Sequence, residues 1–600
     1  MPFRRSLLYL SALPTFVVIL DLLIRFSYLR VLEPSLLQHF LYSYTFEWTL
    51  CFVITGVIAV IRSRRMPVVI FTASVLSIGQ LMVYGHYFYF GVLPNPYSIN
   101  YSIDHTSDSL SLIISSITWV HAVIFVNLVI IHSILLRIAL KGYDAFPLKY
   151  RWTIAGCFLG CVIIFNNNVR FAPASYSVSP ATFFSLKYTL QERNSGAKME
   201  LHHGYVRRRF EVADRPAVRS QYNCILFISE SLRKRNFSAY GYHRNTTPFI
   251  DSMISAGSVV RFHHHVSNAV STQYSVPMIL SGDFTISKID HPFIYDYLKR
   301  WTDARTYFFT SQSMQRSNID LVYNTSLDTF VCQEKLPYEP FNDLGVDDAD
   351  VADHVKDFYR RHNGERFFSI IQFNNTHFPY TVKQSAARFF STKDSAVIDS
   401  YDNTILEQDR ILRSYFTAFG QAGLLDSTVI IFTSDHGEAF GERGHMGHLN
   451  TLYGEEIEVP MWIYLPKGFS SEKKKVIERN AQNATSHLDL FPTLMELFGI
   501  VQEPPVEDHL GGMSLLQPIG SGRIIPVVGK DMIDTKAVIA GTMKYIETNR
   551  DGIISYEAYD LSKDRAENRN LWDGIAEQQK QVLKEQFNSI DVAATAGIKK

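Results

Sequence analysis

The chain has 600 residues, with 58 Lys and Arg against 58 Asp and Glu, a formal net charge of zero and a hydrophobic share of 46%. That balance argues against nucleic acid as a partner, and the length admits more than one domain, so the apolar share averages unlike regions. The five cysteines, Cys51, Cys157, Cys161, Cys224 and Cys332, form no disulfide framework; Cys157 and Cys161, at helical spacing in an apolar run, read as membrane packing.

The first elements are five apolar stretches at residues 7–24, 42–61, 66–84, 120–136 and 152–165, against the roughly 20 residues that a helix needs to cross a bilayer. Arg4 and Arg5 precede the first, Arg62, Arg64 and Arg65 separate the second from the third, and Arg137, Lys141, Lys149 and Arg151 separate the fourth from the fifth. These cations share one side, cytoplasmic by the positive-inside rule, and an odd number of crossings delivers the remainder to the periplasm of a double-membraned bacterium. The first stretch ends in Asp21-Leu22-Leu23-Ile24-Arg25 and lacks the small-x-small pattern of a cleaved signal peptide. The outward loop 86–116 carries Tyr87, Phe88, Tyr89, Phe90 and Tyr97, suited to the lipid–water boundary, as an anchor or as a guide for a lipid substrate.

The expected division is therefore a transmembrane domain at 1–168, a polar periplasmic connector at 169–220 with the basic run Arg207-Arg208-Arg209, and an outer catalytic domain at 221–600. In that last region short apolar runs at 224–229, 307–310, 367–373, 429–434 and 460–465 alternate with helix-like intervals, which predicts an α/β fold with a largely buried sheet. A surface helix is expected after Glu567. Ligands of open α/β sheets gather beyond the carboxyl ends of the strands. Two such ends carry acidic phrases: Ser229-Glu230-Ser231 and Ser434-Asp435-His436-Gly437-Glu438.

Between them, Ser271-Thr272-Gln273-Tyr274-Ser275-Val276-Pro277 offers a hydroxyl nucleophile. Glu230, Thr272, Asp435 and His436 make an oxygen and nitrogen shell for one divalent metal, zinc first and manganese second. Coordination would lower the Thr272 hydroxyl pKa enough for attack on phosphorus, giving a phospho-threonine intermediate. His377 follows the strand 367–373, and His448 ends a glycine-punctuated loop able to fold back over the metal; both are candidates for phosphate contact and acid/base help. His263-His264-His265 is read as strand or surface, because successive strand residues face opposite sides. His487 and Asp489 are read as a helix entry capped by Ser486 or its neighbours.

These phrases, in this order, resemble the membrane-anchored phosphoethanolamine transferases of Gram-negative bacteria, within the alkaline phosphatase and sulfatase superfamily. The resemblance spans nearly the whole chain. It rests on Glu230-Ser231, on Asn236-Phe237-Ser238-Ala239-Tyr240-Gly241-Tyr242 with Thr247-Pro248, on Thr272 to Pro277, on Tyr401-Asp402-Asn403, on Ser434 to Glu438, and on His487-Leu488-Asp489-Leu490-Phe491-Pro492-Thr493. It implies a five-helix transmembrane domain followed by a sulfatase-like catalytic domain, with Glu230, Thr272, Asp435 and His436 as the zinc shell and Thr272 carrying phosphoethanolamine. His377 and His448 would be substrate-side histidines, and Gln312 and Arg316 contacts to the donor headgroup. The implied donor is phosphatidylethanolamine and the implied acceptor a lipopolysaccharide or periplasmic glycan. Relatives acting on lipid A typically flank the nucleophile with bridged cysteines, where this chain has Val270 and Met278, and Gln372 replaces a histidine of some relatives. Phosphoglycerol transfer and sulfatase or phosphodiesterase hydrolysis are the alternatives; formylglycine formation needs a C/S-x-P-x-R phrase, and the segment from Ser271 lacks both its Pro and its Arg.

Overall fold

The computed structural model describes residues 2–25, 37–61, 65–90, 117–147, 212–284, 292–313, 326–339, 341–342, 344–362, 364–383, 387–390, 396–444, 446–448, 451–500, 511–530, 533–550 and 553–595, with scattered positions in 93–114 and 150–190. The chain falls into two units, residues 1–199 with 549–554, and residues 200–548 with 555–600.

In the first unit the helices Leu37–Val60, Arg65–Phe90 and Trp119–Asp144 contain segments long and apolar enough to cross a membrane, and Ala12–Ile24 is a shorter apolar helix. The first expected stretch is thus divided: Pro2–Leu10 and Ala12–Ile24 are separated by Ser11, itself near-helical at φ −77° and ψ −10°. Pro14 has no N–H to offer the Leu10 carbonyl, which accounts for the interruption. The fifth expected stretch, 152–165, lies largely outside the described residues. Three helices meet at Asp21, whose carboxylate accepts from Arg25 Nε at 2.8 Å, Tyr44 Oη at 2.6 Å and Tyr84 Oη at 3.3 Å. A buried charge needs such saturation, because nothing else compensates its lost hydration.

The second unit is built on a seven-stranded sheet. From edge to edge its strands are Val259–Arg261, Trp462–Tyr464, Thr428–Ser434, Asn223–Ser229, Phe367–Gln372, Arg305–Thr310 and Thr329–Val331. The five strands from Thr428–Ser434 to Thr329–Val331 are parallel, and Trp462–Tyr464 runs against both its neighbours. The central runs Asn-Cys-Ile-Leu-Phe-Ile-Ser, Phe-Phe-Ser-Ile-Ile-Gln and Thr-Val-Ile-Ile-Phe-Thr-Ser are buried at every position, as expected of parallel strands covered on both faces. One face packs on helices Thr272–Ser281, Ile294–Trp301 and Leu490–Leu497; the other packs on Pro248–Ser255, Asp348–Arg361 and Ala396–Gln421. A second sheet orders Ile524–Gly529, Asp534–Ala540, Met543–Arg550 and Ile553–Asp560, and the helix Glu577–Thr595 follows. Cys224 and Cys332 are buried free thiols.

His264 is exposed and His265 buried on the strand His264–Val266, the alternation expected of that tract. Asp489 Oδ2 accepts from Ser486 N at 2.8 Å at the entry to the helix Leu490–Leu497, and Asp489 pairs with Arg523 at 2.8 Å.

Candidate metal centre

Register builds the site. Ser229 and Ser434 are Cα partners on the two central parallel strands, so Glu230 and Asp435 leave the sheet side by side. The backbone then ties the strand ends together: Asp435 N donates to Ser229 O at 3.0 Å, and Ser434 Oγ donates to Ser229 O at 2.9 Å. Asp435 Oδ1 accepts from the backbone N–H groups of Ser231 at 2.9 Å and His436 at 2.7 Å, which turns its other oxygen, Oδ2, toward Thr272.

Thr272 opens the helix Thr272–Ser281 after the extended N-cap Ser271. Its hydroxyl lies 2.9 Å from Glu230 Oε1, 2.7 Å from Asp435 Oδ2 and 3.4 Å from His436 Nε2. His436 Nε2 is itself 3.6 Å from Glu230 Oε1 and 3.4 Å from Asp435 Oδ2. Glu230, Asp435 and His436 are buried and form a group able to hold a metal ion, whereas Thr272 is half-buried and reachable from outside. Tetrahedral zinc with ligands at about 2.0–2.2 Å separates its donors by about 3.3–3.6 Å, so this set of two carboxylates, one imidazole and one hydroxyl is close to the required size.

The supporting contacts fit the same chemistry. His436 Nδ1 lies 2.9 Å from Gly437 O and donates to it, which leaves the Nε2 lone pair facing the carboxylates. Gln312 Nε2 donates to Glu230 Oε2 at 2.8 Å, and Thr376 Oγ1 donates to Glu230 O at 2.5 Å. Ser267 Oγ donates to Asp435 O at 2.7 Å. Burial pushes the Asp435 carboxyl up to about 6 and raises that of Glu230, with Asp435 adding to the rise; burial also pushes His436 down to about 4. Each shift is the cost of carrying charge in a dry place, a cost that a divalent cation held here would offset for both carboxylates.

His377 and His448 stand beside this centre. The rings of His436 and His448 are 4.2 Å apart between centroids, and those of His377 and His448 are 6.2 Å apart. Glu438, buried two residues beyond His436, contacts His448 Nδ1 at 3.3 Å, a carboxylate–imidazole pairing that orients the ring. Gln312, expected against a substrate headgroup, directs its amide to Glu230, and Arg316 lies outside the described residues. Sequence reasoning did not reach the supporting roles of Ser267 and Thr376. Thr376 sits within the phrase that supplied His377, which was the available signal.

The sulfatase family pattern matches residues 222–500. The phosphoethanolamine transferase EptA of Helicobacter pylori is 23% identical over 305 residues, covering 47% of this chain and 54% of that protein. The Kdo(2)-lipid A phosphoethanolamine 7''-transferase of Salmonella typhimurium is 22% identical over 297 residues, covering 46% of this chain and 51% of that protein. The chain thus spans about half the length of the relatives it matches. Among solved structures, the integral membrane lipooligosaccharide phosphoethanolamine transferase A of Neisseria meningitidis superposes with a TM-score of 0.50 at 18% identity, covering 82% of this chain and 95% of that one. That likeness concerns the fold: apolar N-terminal helices and a C-terminal α/β domain. Residues 222–500 match the sulfatase family, and over about half its length the chain is similar to phosphoethanolamine transferases.

Proposed function

We propose that this protein is a metal-dependent phosphoethanolamine transferase of the bacterial inner membrane, with a transmembrane domain at 1–168, a connector at 169–220 and a periplasmic catalytic domain at 221–600. It takes phosphoethanolamine from phosphatidylethanolamine and passes it to a lipopolysaccharide or another periplasmic glycan. The observation that carries this reading is the convergence of Glu230 Oε1, Asp435 Oδ2 and His436 Nε2 within 2.7–3.4 Å of the Thr272 hydroxyl. The names of the transferase relatives supply the donor group.

A zinc ion held by Glu230, Thr272, Asp435 and His436 would supply Lewis acidity, lowering the hydroxyl pKa and polarising the phosphoryl oxygen; manganese is the alternative. Thr272 Oγ1 then forms a bond to phosphorus as the bond from phosphorus to the diacylglycerol oxygen breaks. The proton of Thr272 leaves toward its carboxylate acceptors. His377 and His448 stand on the substrate side, where one of them, entering as the imidazolium, would give its proton to the departing oxygen; the neutral imidazole so formed would later take the proton of the acceptor hydroxyl as that oxygen displaces Thr272, and the carboxylates would return the first proton to the threonine oxygen. The N-terminal turn of the helix Thr272–Ser281 favours the phosphoryl charge.

Intact-protein mass spectrometry tests this after incubation with phosphatidylethanolamine and zinc. Wild type gains one phosphoethanolamine mass and Thr272→Ala gains none. An adduct of phosphoglycerol mass moves the reading to that transfer, and an equal adduct on Thr272→Ala refutes the covalent role.

A further inference from the structure

The carboxylate of Asp348 lies outside the metal donors, yet it ties together the two segments that support Glu230. Asp348 is the first residue of the helix Asp348–Arg361 and is 1% exposed. Its Oδ1 accepts from Ser311 Oγ at 2.6 Å and from Asn374 N at 2.8 Å, and its Oδ2 accepts from Asn375 N at 2.8 Å. Ser311 follows directly on the strand Arg305–Thr310, and Asn374 and Asn375 lie just beyond its neighbour Phe367–Gln372, so one side chain staples the exits of two neighbouring strands. The stapled segments lead directly to the site. Gln312, next after Ser311, donates to Glu230 Oε2, and Thr376, next after Asn375, donates to Glu230 O. His377 follows one residue later, its N–H on Asn374 O at 2.9 Å.

The chain around Asp348 reinforces the same junction. Val346 N donates to Ser311 O at 2.9 Å, Asn375 Nδ2 donates to Asp347 Oδ1 at 3.0 Å, and Asp348 N donates to Asn375 Oδ1 at 3.2 Å. Gly345 comes so close that a Cβ there would lie 1.9 Å from Ser311 O. A carboxylate is needed at 348 because three donors converge on two oxygens. An amide presents a single acceptor and turns N–H groups toward a backbone N–H.

We infer that Asp348 is the positioning residue of the metal centre, fixing Glu230 through Gln312 and Thr376 and placing His377. The inference rests on the metal-centre reading above and adds to it a residue that touches neither metal nor substrate.

The test measures zinc affinity of the full-length protein in detergent by competition with a chromophoric chelator. Asp348→Asn raises the zinc dissociation constant about tenfold or more, and Ser311→Ala, which removes a single donor, raises it about threefold. Asp409→Asn is the control. Asp409 is another buried aspartate accepting two backbone N–H groups, at 2.8 Å from Phe249 and 3.1 Å from Ile250, and it has no hydrogen bond to the metal donors in the described contacts. That variant stays within about twofold of wild type. Because Asp348 acts through Gln312, the effects of Asp348→Asn and Gln312→Ala are less than additive in the double variant. Equal affinity in wild type and Asp348→Asn, an equal loss in Asp409→Asn, or full additivity with Gln312→Ala overturns the inference and leaves the metal centre standing. A wild type that takes up no zinc overturns both.

Discussion

Asp435 is held at both carboxylate oxygens and at its backbone carbonyl. Oδ1 is held by two backbone N–H groups, Oδ2 faces Thr272, and the residue's own carbonyl is held by Ser267. Asp435→Asn therefore alters charge without altering size, and it should leave the protein folded but strip most of its metal, as read by elemental analysis of purified protein. Thr272→Ser keeps the hydroxyl and should keep both metal and adduct, at a rate lowered about tenfold by the extra rotamer freedom of serine; Thr272→Ala keeps the metal ligands Glu230, Asp435 and His436 but forms no adduct. At this scale the sequence was informative wherever a functional residue follows directly on a buried strand, as Glu230 and Asp435 do. It was silent where a residue acts by reaching another segment, as with Asp348 and Ser267, because only the folded register brings those pairs together.

Loops after strands carry the centre, and one of them admits no side chain at its turn. A Cβ on Gly437 would lie 2.2 Å from Glu455 O, because Gly437 N and Glu438 N donate to Glu456 O and Glu455 O, each at 2.8 Å. Gly437→Ala must break that pairing and displace His436. The expected result is a lower thermal midpoint together with weaker zinc binding, whereas Gly468→Ala, where a Cβ meets nothing within 4 Å, should change neither. The five central strand runs were legible as continuous buried apolar segments, and all five lie in one sheet. The edge strands Val259–Arg261 and Thr329–Val331 were not, since three residues carry no periodicity. The four strands between Ile524 and Asp560 were also missed: in Met-Lys-Tyr-Ile-Glu-Thr-Asn-Arg the buried stretch is Lys544-Tyr545-Ile546-Glu547, so two charged residues interrupt the apolar signal. In the first unit four of the five apolar stretches fall on described helices and the fifth lies largely outside the described residues, and Pro14 moved a boundary that hydropathy alone does not register.

For the molecule as a whole, buried carboxylates set a pH dependence that can be checked away from the metal. Burial pushes Asp409 up to about 7, well above the ordinary value of roughly 3.9 for an unfolded chain. Between those values the folded protein holds a proton that the unfolded chain has released, so this group makes stability fall as pH rises through that window, and the penalty is complete above about 7. Asp409→Asn cannot ionise. Its thermal midpoint in detergent should vary less between pH 5.5 and 7.5 than that of wild type, and a steeper dependence would contradict the assignment.

The free thiols of Cys224 and Cys332 have a bearing on how the protein can be made. Both are buried in the hydrophobic core of the α/β unit, and no disulfide joins the described cysteines, so maturation of this unit waits on no oxidase or isomerase. Its folding yield should be the same in a reducing cytosol as in an oxidising export compartment, and the phosphine reductant tris(2-carboxyethyl)phosphine, which unlike a dithiol does not compete strongly for zinc, should leave its melting curve unmoved.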